Sequence, residues 1–141
     1  MEGYEQDFYA WTQRAAEMLR ARRFDEADIE HVAEEIEDMG RRDVRELNSR
    51  MRVLLVHLLK WQLRPDQRSG SWHGSIVAQR QEIDVLLEES PSLRGKLASG
   101  LADNYTRAVK LAAIETGLGN ERFPQTCPYG VEQVLDASFL P

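Results

Sequence analysis

Apolar residues recur along this chain at steps of three and four, the period of helices that bury one face. Phe8, Trp11, Ala15 and Met18 predict a first helix over about residues 7–22. In the linker Arg23-Phe24-Asp25, the Asp25 side chain is expected to accept from the first free N–H groups of a second helix, with Asp28 at the capping-box position. Ile29, Val32, Ile36 and Met39 mark the apolar face of that helix, and Gly40 reads as a stop or a kink. Val44, Leu47, Met51, Leu54, Leu58 and Trp61 then follow a strict three-four alternation. They predict a third helix of about 21 residues, roughly 31 Å long.

Arg64-Pro65-Asp66-Gln67-Arg68-Ser69-Gly70 breaks the pattern and reads as an exposed loop. Ser71 is the expected cap of a fourth helix over about 72–89. Ser90-Pro91 starts a fifth, running to 116 before Gly117, with Leu97, Leu101, Tyr105, Ala108 and Ala112 as its buried stripe. Gly117-Leu118-Gly119-Asn120 follows a helix and so reads as a C-cap and turn, not a phosphate cradle. Residues 123–128 form an irregular connection, and Val131, Val134 and Leu135 make a short last helix. No segment alternates with period two long enough to argue a strand. The expected fold is all-α, a single-domain bundle over 1–141 with four to five main helices plus the short C-terminal one.

One run departs from simple amphipathicity. Val53-Leu54-Leu55-Val56-His57-Leu58-Leu59 is apolar on every side of a helix except at His57. A helix of that kind is central and buried, so the imidazole needs a partner. A buried polar group left unpaired costs roughly 1–3 kcal/mol.

Composition narrows the picture. At 141 residues, 42% of them hydrophobic and 30% charged, the chain is long enough and apolar enough to fold without staples. A net charge of −6 disfavours non-specific binding to nucleic acid. The single cysteine, Cys127, excludes an intramolecular disulfide and suits a reducing compartment. No apolar stretch is long enough to span a membrane, and Met1-Glu2-Gly3-Tyr4-Glu5 lacks the order of a signal peptide. A cytoplasmic, soluble protein with no membrane partner is expected.

Charge is also segregated. Residues 24–40 carry eight acids and no Lys or Arg, whereas 41–68 carry eight bases against three acids. Glu37–Arg41 and Asp38–Arg42 stand at i,i+4, so solvated faces and pairing between helices account for most of this swing.

Candidate chemistry is sparse. Glu30, His31, Glu34, Glu35, Glu37 and Asp38 offer metal ligands, but His31, Glu34 and Asp38 lie opposite the apolar stripe and are expected to face water. No Glu-x-x-His pair occurs, so no metal site and no cofactor is assigned. Cys127 precedes Pro128 at a helix start, where N–H groups lower a thiol pKa, but no general base stands beside it in sequence. In the fourth helix Gln79 and Arg80 fill a gap between Trp72, Ile76, Ile83 and Leu87, which puts Arg80 on or beside the buried face. A buried guanidinium requires a carboxylate or several carbonyls, and Glu35 is the best-placed acid by wheel position. The expectation is a polar layer of Glu35, His57 and Arg80 flanked by Trp61 and Trp72. It is either a structural network or a pocket for a small anion. Lys60-Trp61 to Arg68 and Trp72 also interleave bases with aromatics, but both tryptophans fall on buried stripes.

Several of these residues form a recurring set. Asp7-Phe8-Tyr9-Ala10-Trp11, Glu34-Glu35-Ile36-Glu37, His57-Leu58-Leu59-Lys60-Trp61, Ser71-Trp72, Arg80, Ser90-Pro91-Ser92-Leu93, Phe123-Pro124 and Cys127-Pro128-Tyr129 appear in this order. In order and spacing the chain resembles the bacterial domain-of-unknown-function family 29 over nearly its whole length. The resemblance implies an all-helical domain and no activity. It places Glu34, Glu35, His57, Trp61, Trp72 and Arg80 in the family pattern and leaves His31 and His73 outside it. Two readings follow. The first is a binding or protein-interaction module, with the seam of the third helix open to self-association. The second is an enzyme, or a small-ligand or metal protein, using His57 as base or ligand, Glu35 as its carboxylate partner and Arg80 as anion clamp.

Overall fold

In a computed structural model, which describes residues 4–23 and 25–141, Asp7 and Asp25 cap the first two helices. Met1-Glu2-Gly3 and Phe24 of the linker lie outside the described residues. Asp7 accepts from the Ala10 N–H at 3.0 Å and starts α1, Phe8–Arg20. Asp25 accepts from the Asp28 N–H at 3.0 Å and starts α2, Glu26–Leu63. The order continues with α3, Gly70–Glu89, α4, Arg94–Thr116, and α5, Val131–Leu135. Short 3₁₀ turns at Pro65–Gln67, Pro91–Leu93 and Asn120–Arg122 join them. The fold is all-α, with no strand among the described residues.

Two boundaries differ from the sequence expectation. Gly40 neither stops nor splits a helix: α2 runs through it for 38 residues. A glycine in a helix interior costs only about 1 kcal/mol relative to alanine, and exposed ion pairs of Arg41 with Glu37 at 3.6 Å and with Asp38 at 2.7 Å bracket it. The cap of α3 is Ser69, not Ser71; its Oγ accepts from the Trp72 N–H at 3.2 Å.

The chain divides into two compact units, Met1–Arg42 and Asp43–Pro141, so the boundary falls inside α2. In the first unit Arg22, two residues past the end of α1, lies in the left-handed region at φ 57°. Its N–H donates to Leu19 O at 3.1 Å, and Arg23 N–H donates to Met18 O at 2.8 Å. These bonds recover carbonyls that a helix end otherwise leaves unpaired, in a position that favours glycine. Trp11 and Ala15 are buried on α1, and Asp28 is buried on α2. The expected apolar face of this stretch is open. Ile29, Ile36 and Met39 are 46%, 63% and 60% exposed. The residues turned inward are those one helix face away, Asp28, His31 and Glu35, which follow their own three-four spacing.

In the second unit the seam behaves as its periodicity predicts. Leu47, Met51, Leu54 and Leu58 are completely buried, as are Leu55 and Leu59 on the flank of the same seam. Ile76 and Ile83 of α3, Leu97, Tyr105, Ala108 and Ala112 of α4 and Val134 of α5 complete one core. Gly117, at φ 72°, terminates α4 as expected. Between α2 and α4, Asn104 donates to Asn48 Oδ1 at 3.0 Å and accepts from Arg52 Nε at 3.1 Å.

Candidate functional site

Glu35 has its partners inside the first unit. The Tyr4 hydroxyl donates to its carboxylate at 2.5 Å, and Arg42 lies 3.7 Å away. That hydrogen bond, followed by burial and the charges of Glu35, Glu34 and Asp38, pushes the Tyr4 pKa up to about 12. The Tyr4 ring stacks on His31 at 4.1 Å and meets Trp11 edge-on at 4.7 Å. His31, expected to face water, is therefore half-buried in an aromatic cluster, because the inward face of α2 lies one residue away from its apolar stripe. Glu34 is exposed, as its wheel position predicts.

His57 lies in the second unit and is half-buried. Its Nδ1–H donates to Val53 O one turn earlier, at 2.8 Å, which leaves Nε2 as the acceptor nitrogen. The polar demand foreseen for this ring is met by its own helix. Two flanking tryptophans are half-buried and capped by cations. The Arg68 guanidinium sits 5.0 Å from the Trp61 ring and the Lys60 ammonium 4.8 Å from the Trp72 ring. Lys60 is only 8% exposed and is 3.9 Å from Glu115. Cation–π contacts of this kind stabilise by about 0.5–2 kcal/mol and occupy the ring faces that a stacking surface would offer to bases.

Three arginines share one task that sequence reasoning did not anticipate. The last carbonyls of a helix lack intrahelical donors and carry its negative dipole end. Arg68 Nε donates to Trp61 O, in the last turn of α2, at 2.8 Å. Arg64 donates to Thr116 O, the last residue of α4, at 2.9 Å. Arg80, 4% exposed, donates through Nε to Val134 O at 2.8 Å and through Nη2 to Gln133 O at 3.4 Å, both in α5. Burial lowers the Arg80 pKa, and the charge of Asp136 offsets part of that. The buried position read from the α3 pattern was right. Its acceptors are the several carbonyls of the expectation, not a carboxylate. The one sequence signal for this arrangement was the placement of Arg64 and Arg68 just past a helix end.

Cys127 and two surface hollows lie apart from these groups. Cys127 donates to Tyr129 O at 3.4 Å, and burial pushes its thiol pKa up. The helix start expected at Pro128 is absent, since α5 begins only at Val131, so desolvation sets the direction and the backbone bond at Tyr129 offsets only part of it. A hollow of about 250 Å³ lies beside Val53, lined also by Glu46, Ser49, Arg50 and Gln79. Another, of about 280 Å³, runs between α4 and Gln125-Thr126-Cys127. Among the described residues no three His, Cys, Asp or Glu side chains gather to hold a metal. No helix is long and apolar enough to cross a membrane, among the described residues.

A family model described as Domain of unknown function DUF29 matches residues 3–140. No curated protein and no solved structure matches the chain.

Proposed function

The chain belongs to the domain-of-unknown-function family 29, and we propose that it is a protein-interaction module whose working surface is the open apolar face of its first unit. The observation that carries this reading is the stripe of Ile29, Ile36 and Met39, each about half exposed or more, on a helix whose later stripe of Leu47, Met51, Leu54 and Leu58 is completely buried. Phe8, Tyr9 and Leu19 of α1 add further exposed apolar surface to the same unit. Single exposed apolar residues are ordinary, but a set aligned on one helix face marks a contact surface. The lone thiol Cys127 supports a cytoplasmic location, and the family match over residues 3–140 supports one domain.

The enzyme reading has less support. His57 and Arg80 direct their hydrogen bonds to helix carbonyls, and Glu35 holds Tyr4 and Arg42. All are structural uses of polar groups. A photo-cross-linking residue at Met39 tests the interaction reading in living cells, with Glu132 as the exposed control. Adducts at Met39 and none at Glu132 are expected. Equal labelling, or no protein adduct at Met39, contradicts it.

A further inference from the structure

We propose that the turn of α2 over residues 39–43 is a point of local opening gated by ionic strength. The helix unwinds there with the stretches before and after it intact, and ion pairs across Gly40 hold it shut. A helix needs either a buried face or side-chain pairs of its own to persist in water. No residue of α2 between Asp28 and Leu47 is buried, and Met39, Gly40, Arg41, Arg42 and Asp43 are all exposed. Those residues make more than one full turn, so no side of the helix carries a buried residue there. The N–H groups of 41–44, which bond the carbonyls of 37–40, depend on the helix alone.

The residues of this turn weaken it further. Glycine is the least favourable residue in a helix interior after proline, and aspartate, as at Asp43, is the poorest of the ordinary ones. A Cβ at Gly40 would meet nothing within 4 Å, so packing does not require a glycine there. It loosens α2 without admitting a neighbour. What crosses the glycine is charge. Arg41 bonds Asp38 through Nε at 3.1 Å and Nη2 at 2.7 Å, and it lies 3.6 Å from Glu37. Arg42 reaches back two turns to Glu35 at 3.7 Å. In each pair the acid precedes the arginine, the order that favours a helix. Within α2 the acids of 26–38 find their first bases only beyond Gly40. Both guanidinium groups are more than half exposed, so dissolved salt screens the pairs.

Hydrogen exchange of the full chain, followed amide by amide by NMR, tests this. Amides 41–44 are expected to exchange through an opening insensitive to low denaturant, while those of Leu54, Leu55 and Leu58 exchange only with global unfolding. Gly40→Ala is expected to raise the protection of 41–44 about fivefold. Raising sodium chloride from about 0.05 M to about 0.5 M should lower that protection about two- to threefold in the unmodified chain. Joint Arg41→Gln and Arg42→Gln substitution should remove the salt response and leave the helical circular dichroism signal unchanged. Exchange of 41–44 in step with Leu54, at the same denaturant dependence, overturns local opening. So does exchange in step with the whole of 28–39, because the first unit would then open at once. Rates that salt leaves unchanged overturn the ionic clasp. Unaltered protection in Gly40→Ala overturns the glycine as its weak point.

Discussion

The two halves of α2 carry apolar stripes of equal regularity and treat them in opposite ways. In the second unit, Leu47, Met51, Leu54 and Leu58 are sealed by α3 and α4, and the polar groups nearby bind helix ends. In the first unit, Ile29, Ile36 and Met39 stay open while an aromatic and acidic face one residue away is turned inward. The stripes are also out of phase: the step from Met39 to Val44 is five residues, where three or four would keep one face. A regular stripe therefore shows that a helix has an apolar face, and its neighbours in the chain decide whether that face is buried.

The contrast is sharpest in the cost of removing one seam residue. Leu54→Ala is expected to destabilise the protein by about 2–5 kcal/mol, through lost burial and a residual cavity. Ile36→Ala in dilute protein should change stability by no more than about 0.5 kcal/mol. Denaturant titration of both variants would break the comparison if the two losses were equal.

Arg80→Ala comes next, at about 1–3 kcal/mol, because it strips the donor from two carbonyls of α5. Hydrogen exchange should show α5 opening first in that variant. Arg22→Gly, in the first unit, should stabilise by about 1 kcal/mol, since a left-handed φ is strained for arginine and free for glycine. No change in denaturation midpoint would mean that the turn relaxes without help.

Two tyrosines separate the units electrostatically. Tyr4 and Tyr105 each have a pKa of about 12, but the leading cause for Tyr4 is the bond to Glu35 and for Tyr105 it is burial. Both groups are acids whose neutral form is favoured by folding. Each therefore adds stability that is complete below the ordinary tyrosine pKa near 10 and is lost as pH climbs towards 12. Glu35→Gln should return Tyr4 towards its ordinary value and leave Tyr105 unmoved, as read by phenolate absorbance. A shift in both would mean that the two environments are linked. The smallest effect is assigned to His57→Leu, within about 0.5 kcal/mol, because Val53 O keeps the backbone donor of its own helix turn.

Much of this was legible in the sequence. The all-α class, the caps at Asp25 and Gly117 and the buried seam from Leu47 to Leu58 follow from local patterns that tertiary packing did not oppose. His57's need for a partner was legible too, but the identity of that partner was not, because a side chain bonding its own preceding turn leaves no trace in spacing. The first unit was misread for a different reason. Its inward face is held by Tyr4, Trp11 and His31, amphipathic rings that a hydrophobic–polar alphabet places badly. The acceptors of Arg80 lie more than fifty residues away, in a five-residue helix whose unpaired carbonyls no periodicity reveals.

Two methionines on one helix give the most direct test of the difference between the units. Met39 is 60% exposed and Met51 is fully buried. Brief peroxide treatment of dilute protein, followed by mass spectrometry, should oxidise Met39 rapidly and spare Met51 until the chain unfolds. Protection should appear at Met39 only when a partner is added. Equal protection of both residues in dilute protein would contradict the account, because the first stripe would then be covered within the single chain.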